Sequence, residues 1–282
     1  MRGALNVNDC WTQLLIFAMK PPVFNPKWPD DVQAVYQHDV QEIWDPTLAR
    51  HIWNQYHNQL DIYLSLAEGF GKLDILDIGC AQGTLALLLA ERGHSVCALD
   101  IRQGFLDYAA SRCEKGDVRF VCGNAMEVDF AERFDLIFAN QIVEHLVHPF
   151  EFTTRVAQWL KPGGRLVVTT PNADYVKSGL PTFSELGDLA QYEDRQFTAD
   201  GDGHFFAYRA TELREVFEKS GLKQVKTCYF ETPFVSGHLK VRYLHPLLPV
   251  RILKFFDHLI LSTPLVGKRA AHQMMLVGSI QR

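Results

Sequence analysis

The side chains best placed to do chemistry fall in short runs. Asp77, Gly79, Cys80, Ala81 and Gly83 make the first, Asp100 and Ile101 the second, and Asn124, Ala125 and Met126 the third. Asn140, Gln141, Glu144 and His145 follow, with His204 further on. The first run is a small-residue turn ahead of residues 84–92, where Leu85, Leu88 and Leu89 have helical spacing and Gly93 sits at the C-cap position. Such a turn, set against a helix N-terminus, offers backbone N–H groups to an anionic group. Asp100 ends the next apolar segment, where a carboxylate can accept from two ribose hydroxyls. Turn and acid together suit a nucleoside-bearing ligand. His145, with an unperturbed pKa near neutrality, is the best general base, and Glu144 stands beside it. A structural hydrogen-bonding role for His145 where a helix begins is the alternative.

To hold these groups the chain must alternate strand and helix. Residues 73–78 are a short apolar run with β-branched members, bounded by glycine, which predicts a buried strand. Residues 95–99, 118–122 and 134–139 (FDLIFA) predict three more. In an open α/β sheet the carboxyl ends of strands line the ligand crevice, where Asp100, Asn124, Asn140 and Gln141 fall. Helices are predicted over 103–113 and from Pro149 through Leu160, and a fifth strand over 165–170. Thr211 is a plausible N-cap for a helix over 212–219, and strands over 222–230 and 273–280 complete the set. Ahead of the first strand, Pro21, Pro22, Pro26 and Pro29 exclude a long helix and predict an extended arm. Residues 30–44 and 47–67 have helical spacing, the former closed by Pro46. Tyr36, His38 and Trp44 are candidates to approach a ligand, although core positions suit Tyr36 and Trp44, and a surface position suits His38.

The turn reads D-x-G-x-A-x-G from Asp77, which is not the dinucleotide fingerprint G-x-G-x-x-G. It resembles motif I of the class I S-adenosylmethionine (SAM) methyltransferases. Ala81 stands where that family commonly has its middle glycine, and its methyl group is tolerable if φ stays in an ordinary region. FDLI at 134–137, E-H-L-x-x-P from Glu144, LKPGG at 160–164 and TTPN at 169–172 extend the resemblance over about 73 to 230. It implies an α/β fold: a Rossmann-like seven-stranded sheet with its last strand antiparallel, N-terminal helices and two insertions. It also implies SAM as cofactor and S-adenosylhomocysteine as product. The glycine-rich turn would take the methionine end, with Asp77 at the ammonium group, directly or through water. Asp100 would take the ribose, and Asn124 and Met126 the adenine. Asn is equally common at a strand-exit turn.

The ubiquinone-biosynthesis O-methyltransferases and the small-RNA 3′-end 2′-O-methyltransferases carry E-x-x-E-H at this point, which looks like a divalent-metal site. In the RNA enzymes a later histidine completes it. Here Gln141 replaces the first acid, and His204 is available downstream. An amide oxygen is a poorer ligand for a hard cation than a carboxylate, so no divalent metal is expected. With H-F-x-x-Y-x-x-x-E-L from His204 included, the pattern is most similar to the ubiquinone-biosynthesis and glycan or natural-product tailoring groups. That implies O-methylation of a small or lipid-linked acceptor such as a sugar, quinone precursor or secondary metabolite. The alternatives are N-methylation of an amino sugar or amine, and a non-catalytic SAM-binding subunit of a complex.

Composition sets the outer bounds. At 282 residues and 47% hydrophobic the chain can bury a sizeable core. The expected division is an arm and helices over 1–70 covering the cofactor, then a SAM-binding domain over 71–282. A net charge of −5 without a long Lys/Arg run argues against a nucleic-acid partner. Six cysteines form no C-x-x-C pair, and Cys80, Cys97 and Cys122 fall in or beside predicted buried strands. They read as small apolar residues in a reducing compartment, which points to the cytoplasm. The LLIFAM run at 14–19 lacks the features of a signal peptide. Residues 173–203 hold seven acids against Lys177 and Arg195 and are read as an acidic lid. Residues 231–272 are a late insertion containing an amphipathic helix over 247–261. There Arg251, Lys254 and His258 share one stripe, and Ile252, Phe255, Phe256 and Leu259 another. A packed cap or an interface is expected ahead of peripheral membrane contact, and the oligomeric state is left open.

Overall fold

The computed structural model describes residues 18–196, 206–263 and 265–281. Seven strands form one sheet in the order β3-β2-β1-β4-β5-β7-β6. They are β1 (Asp74–Ile78), β2 (Ser95–Asp100), β3 (Asp117–Cys122), β4 (Phe134–Asn140), β5 (Leu160–Pro171), β6 (Lys223–Phe230) and β7 (Gln273–Ser279). β1 pairs in parallel with β2 and β4, β2 with β3, and β4 with β5. β7 runs antiparallel between β5 and β6. This is the Rossmann-like sheet expected of a SAM methyltransferase.

The central strands are largely apolar and buried because both faces of the sheet are covered. One face packs against α5 (Pro149–Gln158) and α6 (Ala210–Lys219), through Phe152, Val156, Leu213 and Phe217. The other packs against α2 (Arg50–Ser65) and α3 (Thr84–Glu91), through Leu60, Leu64, Leu85 and Leu88. α3 is buried at every position from Thr84 to Ala90, which accounts for its all-round apolar sequence. α1 (Asp30–Asp39) continues as a π-helical turn (Val40–Trp44) and ends at Asp45, ahead of Pro46. Its acids Asp30 and Asp31 lie in the first turn, where the helix dipole favours them. α4 (Gln103–Arg112) crosses from β2 to β3.

Several boundaries depart from the sequence reading. β5 begins at Leu160, not 165, because LKPGG is accommodated within the strand by a register shift against β4 between Phe134 and Leu136. α5 accordingly stops at Gln158. α6 starts at Ala210, where the Glu212 carboxylate accepts the Arg209 N–H, so Thr211 lies inside the helix and does not cap it. Cys122 is exposed rather than buried, while Cys80 and Cys97 are buried as expected.

The late insertion folds as α7 (Pro233–Ser236), a 3-10 turn (Val241–Leu244), α8 (Val250–Leu261) and α9 (Val266–Ala270). Since Pro171, Phe230 and Gln273 lie in register, it leaves and returns at the carboxyl edge of the sheet. The basic stripe of α8 is split, with Arg251 and His258 exposed. Lys254 turns inward to Asp61 of α2 at 2.7 Å, and the buried Asp257 accepts the Thr232 N–H at 2.7 Å. Ile252, Phe255, Phe256 and Leu259 are left exposed.

Candidate active site

The carboxyl ends of β1, β2 and β4 splay around a cleft of about 320 Å³, within the range of small-molecule sites. Ile78, Gly79 and Ala81 form one wall, Leu99 to Arg102 the floor, and Gly123 to Ala125 the far side. Asn140, Gln141, Ile142, His145 and Leu146 close the end towards β5, with Phe152 of α5 behind them.

Two glycines shape the first wall. Gly79 has φ +67°, and a Cβ there would collide with the Ile142 side chain. Gly83 has φ +74°, and a Cβ would lie 2.6 Å from the Ala109 Cβ. Only glycine meets both demands without strain. Ala81 lies between them at φ +45°, in the left-handed region, so the ordinary backbone on which tolerance of its methyl depended is not what the fold adopts. An L-residue held there costs about 1–2 kcal/mol. The turn also uses its N–H groups differently from the expected anion cradle. Gly79 and Cys80 donate to the Leu99 carbonyl at 2.8 and 3.1 Å, and Gly83 donates to the Cys80 carbonyl at 2.7 Å. Ala81 donates to Asp100 Oδ2 at 3.0 Å. These amides fix the position of the wall and of the acid instead of facing a ligand.

Asp100 is held from a second side by the Arg102 N–H, 2.9 Å from Oδ1, and by the Arg102 guanidinium at 3.6 Å. Its carboxylate is thus oriented before any hydroxyl arrives. Asp77 lies beneath the turn, 3% exposed and away from the cleft lining. Burial, and then the Asp100 charge, push it up to about 7. Asn124 faces the cleft, but its Oδ1 already accepts the Met126 N–H at 2.9 Å, leaving one lone pair for a ligand. Met126 packs into the core beside Ala125 and does not line the cleft.

Behind the glycine turn sits a buried polar network that the sequence did not announce. Arg112 pairs with Asp39 at 2.7 Å, with both side chains fully buried. Arg112 also donates to the Gln82 carbonyl and to Thr84 Oγ1. Tyr108 and Trp44 donate to the other Asp39 oxygen at 2.8 and 2.9 Å. Gln82 reaches Glu42 at 2.7 Å, and burial pushes that carboxyl up to about 8. α1 is thereby bolted to the turn, and Trp44 serves this network. Tyr36 packs against Phe24 and Trp28, and His38 is exposed, so none of the three lines the cleft.

At the other end, Glu144 and His145 share a 3-10 turn (Val143–His145) but face opposite ways. His145 opens on the cleft. Glu144 is fully buried against β5, where the Thr170 hydroxyl donates to it at 3.1 Å and burial pushes it up to about 8. Gln141 has φ +53° and donates to Thr169 Oγ1 at 3.3 Å and to Gln273 Oε1 at 3.0 Å. Thr169 in turn donates to Asn140 Oδ1 at 3.0 Å and accepts from Tyr63 of α2 at 3.5 Å. Of the segment read as a lid, the described part docks beside this end. Gln196 Oε1 accepts the Val147 N–H at 2.6 Å, and Glu193 meets His148 at 3.2 Å. His204 lies outside the described residues. Among the described residues, no three His, Cys, Asp or Glu side chains converge as metal ligands.

The cleft therefore gathers Gly79, Ala81, Asp100, Ile101, Asn124, Ala125, Asn140, Gln141 and His145, as read from sequence. Asp77, Cys80, Gly83, Met126 and Glu144 support it from outside the lining. Ile78, Leu99, Arg102, Gly123, Ile142, Leu146 and Phe152 were missed. Arg102 follows the acid by two residues, a spacing that suits local backbone capping, and Phe152 shows only as a core position of α5. A glycine-framed wall, an oriented carboxylate and an apolar-walled recess with convergent amide groups fit a nucleoside ligand such as SAM.

Comparison with known proteins bears on the same residues. A methyltransferase-domain family matches residues 32–227. The ubiquinone biosynthesis O-methyltransferase of Bradyrhizobium diazoefficiens is 36% identical over 107 residues, covering 37% of this chain and 42% of that protein. Its counterpart from a Ruegeria species is 32% identical over 132 residues, covering 45% of this chain and 53% of that protein. The chain spans about half the length of the curated relatives it matches. Among solved structures, a Haemonchus contortus phosphoethanolamine N-methyltransferase bound to S-adenosylhomocysteine aligns with a TM-score of 0.56 at 17% identity. That alignment covers 88% of this chain and 60% of the other, and shows the shared fold.

Proposed function

The chain belongs to the methyltransferase-domain family; from that premise we propose that it is a SAM-dependent methyltransferase that acts on a hydroxyl group of a small or lipid-linked acceptor. The observation that carries this reading is the placement of His145. It is the one histidine among the residues lining the cleft, in the 3-10 turn that follows β4. Relatives named as O-methyltransferases match the chain at 32 to 36% identity.

When bound, SAM supplies an electrophilic methyl group on a sulfonium. The residues of this chain then have separable tasks. Asp100 accepts the ribose hydroxyls, with the Ala81 and Arg102 N–H groups fixing its oxygens. Asn124 offers its remaining lone pair to the adenine amino group, and Ala125 with Leu99 supplies apolar walls. Asp77, poised near neutrality, becomes the counter-charge for an ammonium group close by or reached through water. His145 takes the acceptor hydroxyl proton. Glu144 is a positioning residue, because its bond to Thr170 ties the 3-10 turn bearing His145 to β5. The described part of the lid segment, through Gln196 and Glu193, packs on Val147 and His148, next to the turn that bears His145.

The test is His145→Ala. Turnover should fall about 10²–10⁴-fold, as for loss of a general base, on whichever hydroxylated acceptor the native enzyme uses. Affinity for S-adenosylhomocysteine, measured by calorimetry, should stay within a few-fold. A panel of phenols, polyprenylated phenols, sugars and amines supplies the acceptor. Turnover restricted to amines and indifferent to His145→Ala would replace this reading with N-methylation. No transfer to any member would favour a non-catalytic SAM-binding subunit.

A further inference from the structure

Exposed large apolar side chains are concentrated in one part of this molecule. Among the described residues seventeen are exposed, and ten of them fall between Leu239 and Val266. Tyr243 is 61% exposed, Leu247 75%, Phe255 53%, Leu259 55% and Leu265 82%. They belong to elements that pack on one another: α7 on the 3-10 turn and on α8, and α8 on α9. Phe256 stacks on Phe234, and Phe255 meets Phe256 edge to face, so the aromatic rings form one ridge.

Charge is distributed in the same way. Residues 231–272 contain six Lys and Arg but two acids, Glu231 and Asp257, a net charge of +4 in a chain of net −5, so the remainder carries −9. Both acids are buried. Lys254 is spent internally on Asp61, and Lys268 on Asp174. Lys240, Arg242, Arg251 and Arg269 are exposed around the apolar ridge, with His258 beside it. The outward face of α8 thus presents Phe255 flanked by Arg251 and His258 on one side and by Ile252 and Leu259 on the other.

We infer that the late insertion is a docking surface for an anionic lipid bilayer, entered by Phe255, Leu259 and Leu247 and rimmed by Arg242 and Arg251. An apolar ridge with a cationic rim and no exposed acid matches a bilayer interface, where apolar side chains enter the acyl boundary and cations meet anionic headgroups. A second copy of this chain fits less well. A two-fold interface sets each patch on itself, bringing cationic rims together with no exposed acid in the insertion to meet them. The negative remainder of the molecule would face away from the bilayer. Because the insertion springs from the carboxyl edge of the sheet, the docked molecule has its acceptor end beside the lipid phase. The proposal itself holds whichever acceptor is used, since bilayer binding needs neither cofactor nor acceptor.

The experiment is sedimentation of the full chain with vesicles of phosphatidylcholine alone and of an equal mixture with phosphatidylglycerol. The chain should bind the mixed vesicles at least about tenfold more tightly than the neutral ones, and raised salt should release it. Phe255→Glu with Leu259→Glu, and separately Arg242→Glu with Arg251→Glu, should each weaken binding about tenfold or more. Affinity for S-adenosylhomocysteine should be unchanged in both, which shows that the variants fold. Equal binding to both vesicles, no binding to either, or binding that survives both double variants overturns the proposal. So does a dimer in sedimentation equilibrium that dissociates on Phe255→Glu with Leu259→Glu, which would assign the face to a second copy.

Discussion

The two ends of the cleft are built by opposite means. At the β1–β2 end, short turns carry the working groups, and nearly every polar atom there is committed: Gly79, Cys80, Ala81 and Gly83 amides, both Asp100 oxygens, and the Asp39–Arg112 pair behind them. At the β5–β7 end, groups far apart in sequence are brought together. Tyr63, Thr169, Gln141 and Gln273 meet there, and the carboxyls of Glu144 and Glu231 are buried within reach of few charges. The first end is preorganised around one fixed ligand geometry. The second is assembled from α2, β5, β7 and the residues that follow β4. The contrast suggests that the recognition of the cofactor is rigid while acceptor choice is adjustable, since loops and insertions tolerate change better than tight turns.

That contrast can be broken most severely at Arg112. Arg112→Leu leaves Asp39 buried without its cation, and the expected loss is about 3–5 kcal/mol of unfolding free energy, read from urea denaturation. The glycine turn should loosen with it, so affinity for S-adenosylhomocysteine should fall in parallel. Preserved affinity would show that the turn does not depend on α1.

The assembled end should reveal itself through pH. Burial raises Glu144 and Glu231 from 4.5 to about 8 in the folded chain. Between those values the folded state holds protons that the unfolded chain has released, so stability falls as pH rises through this window. Above about 8 the penalty is constant. Each group contributes a slope of up to about 1.4 kcal/mol per pH unit. Glu144→Gln and Glu231→Gln should each flatten the profile and raise thermal stability at alkaline pH. A profile unchanged by either substitution would place the titration elsewhere.

The smallest effect sharpens the comparison from the rigid side. Ala81→Gly removes a methyl from a left-handed position, and the gain is about 1 kcal/mol, less the entropy that glycine adds to the unfolded chain. Calorimetric unfolding should show a slightly higher melting temperature, with cofactor affinity unchanged or improved.

Most of the cleft lining could be read directly from sequence, because its groups lie within a few residues of strand ends whose apolar runs mark them. Asp100, Asn124, Gln141 and His145 fall where the strand pattern places them. Backbone use was not legible: spacing does not reveal that the turn amides point at Leu99 and Asp100, or that Ala81 adopts positive φ. The facing of the insertion was not legible for a related reason. Periodicity separates two stripes on α8 but does not say which faces inward. That was decided by partners in other elements, Asp61 for Lys254 and Thr232 for Asp257. Arg112 gave no signal, since a basic residue in the last turn of a helix ordinarily points to solvent.

β7 pairs on both sides, yet it is synthesised after the six strands it completes. Until it leaves the ribosome, the edge of β5 has no partner on that side, and β6 has no sheet to join. The nascent chain therefore carries an open strand edge while residues 172–272 are added, the kind of edge that recruits other strands. Chains halted before 273 should be the species that chaperones hold and that aggregate when they do not.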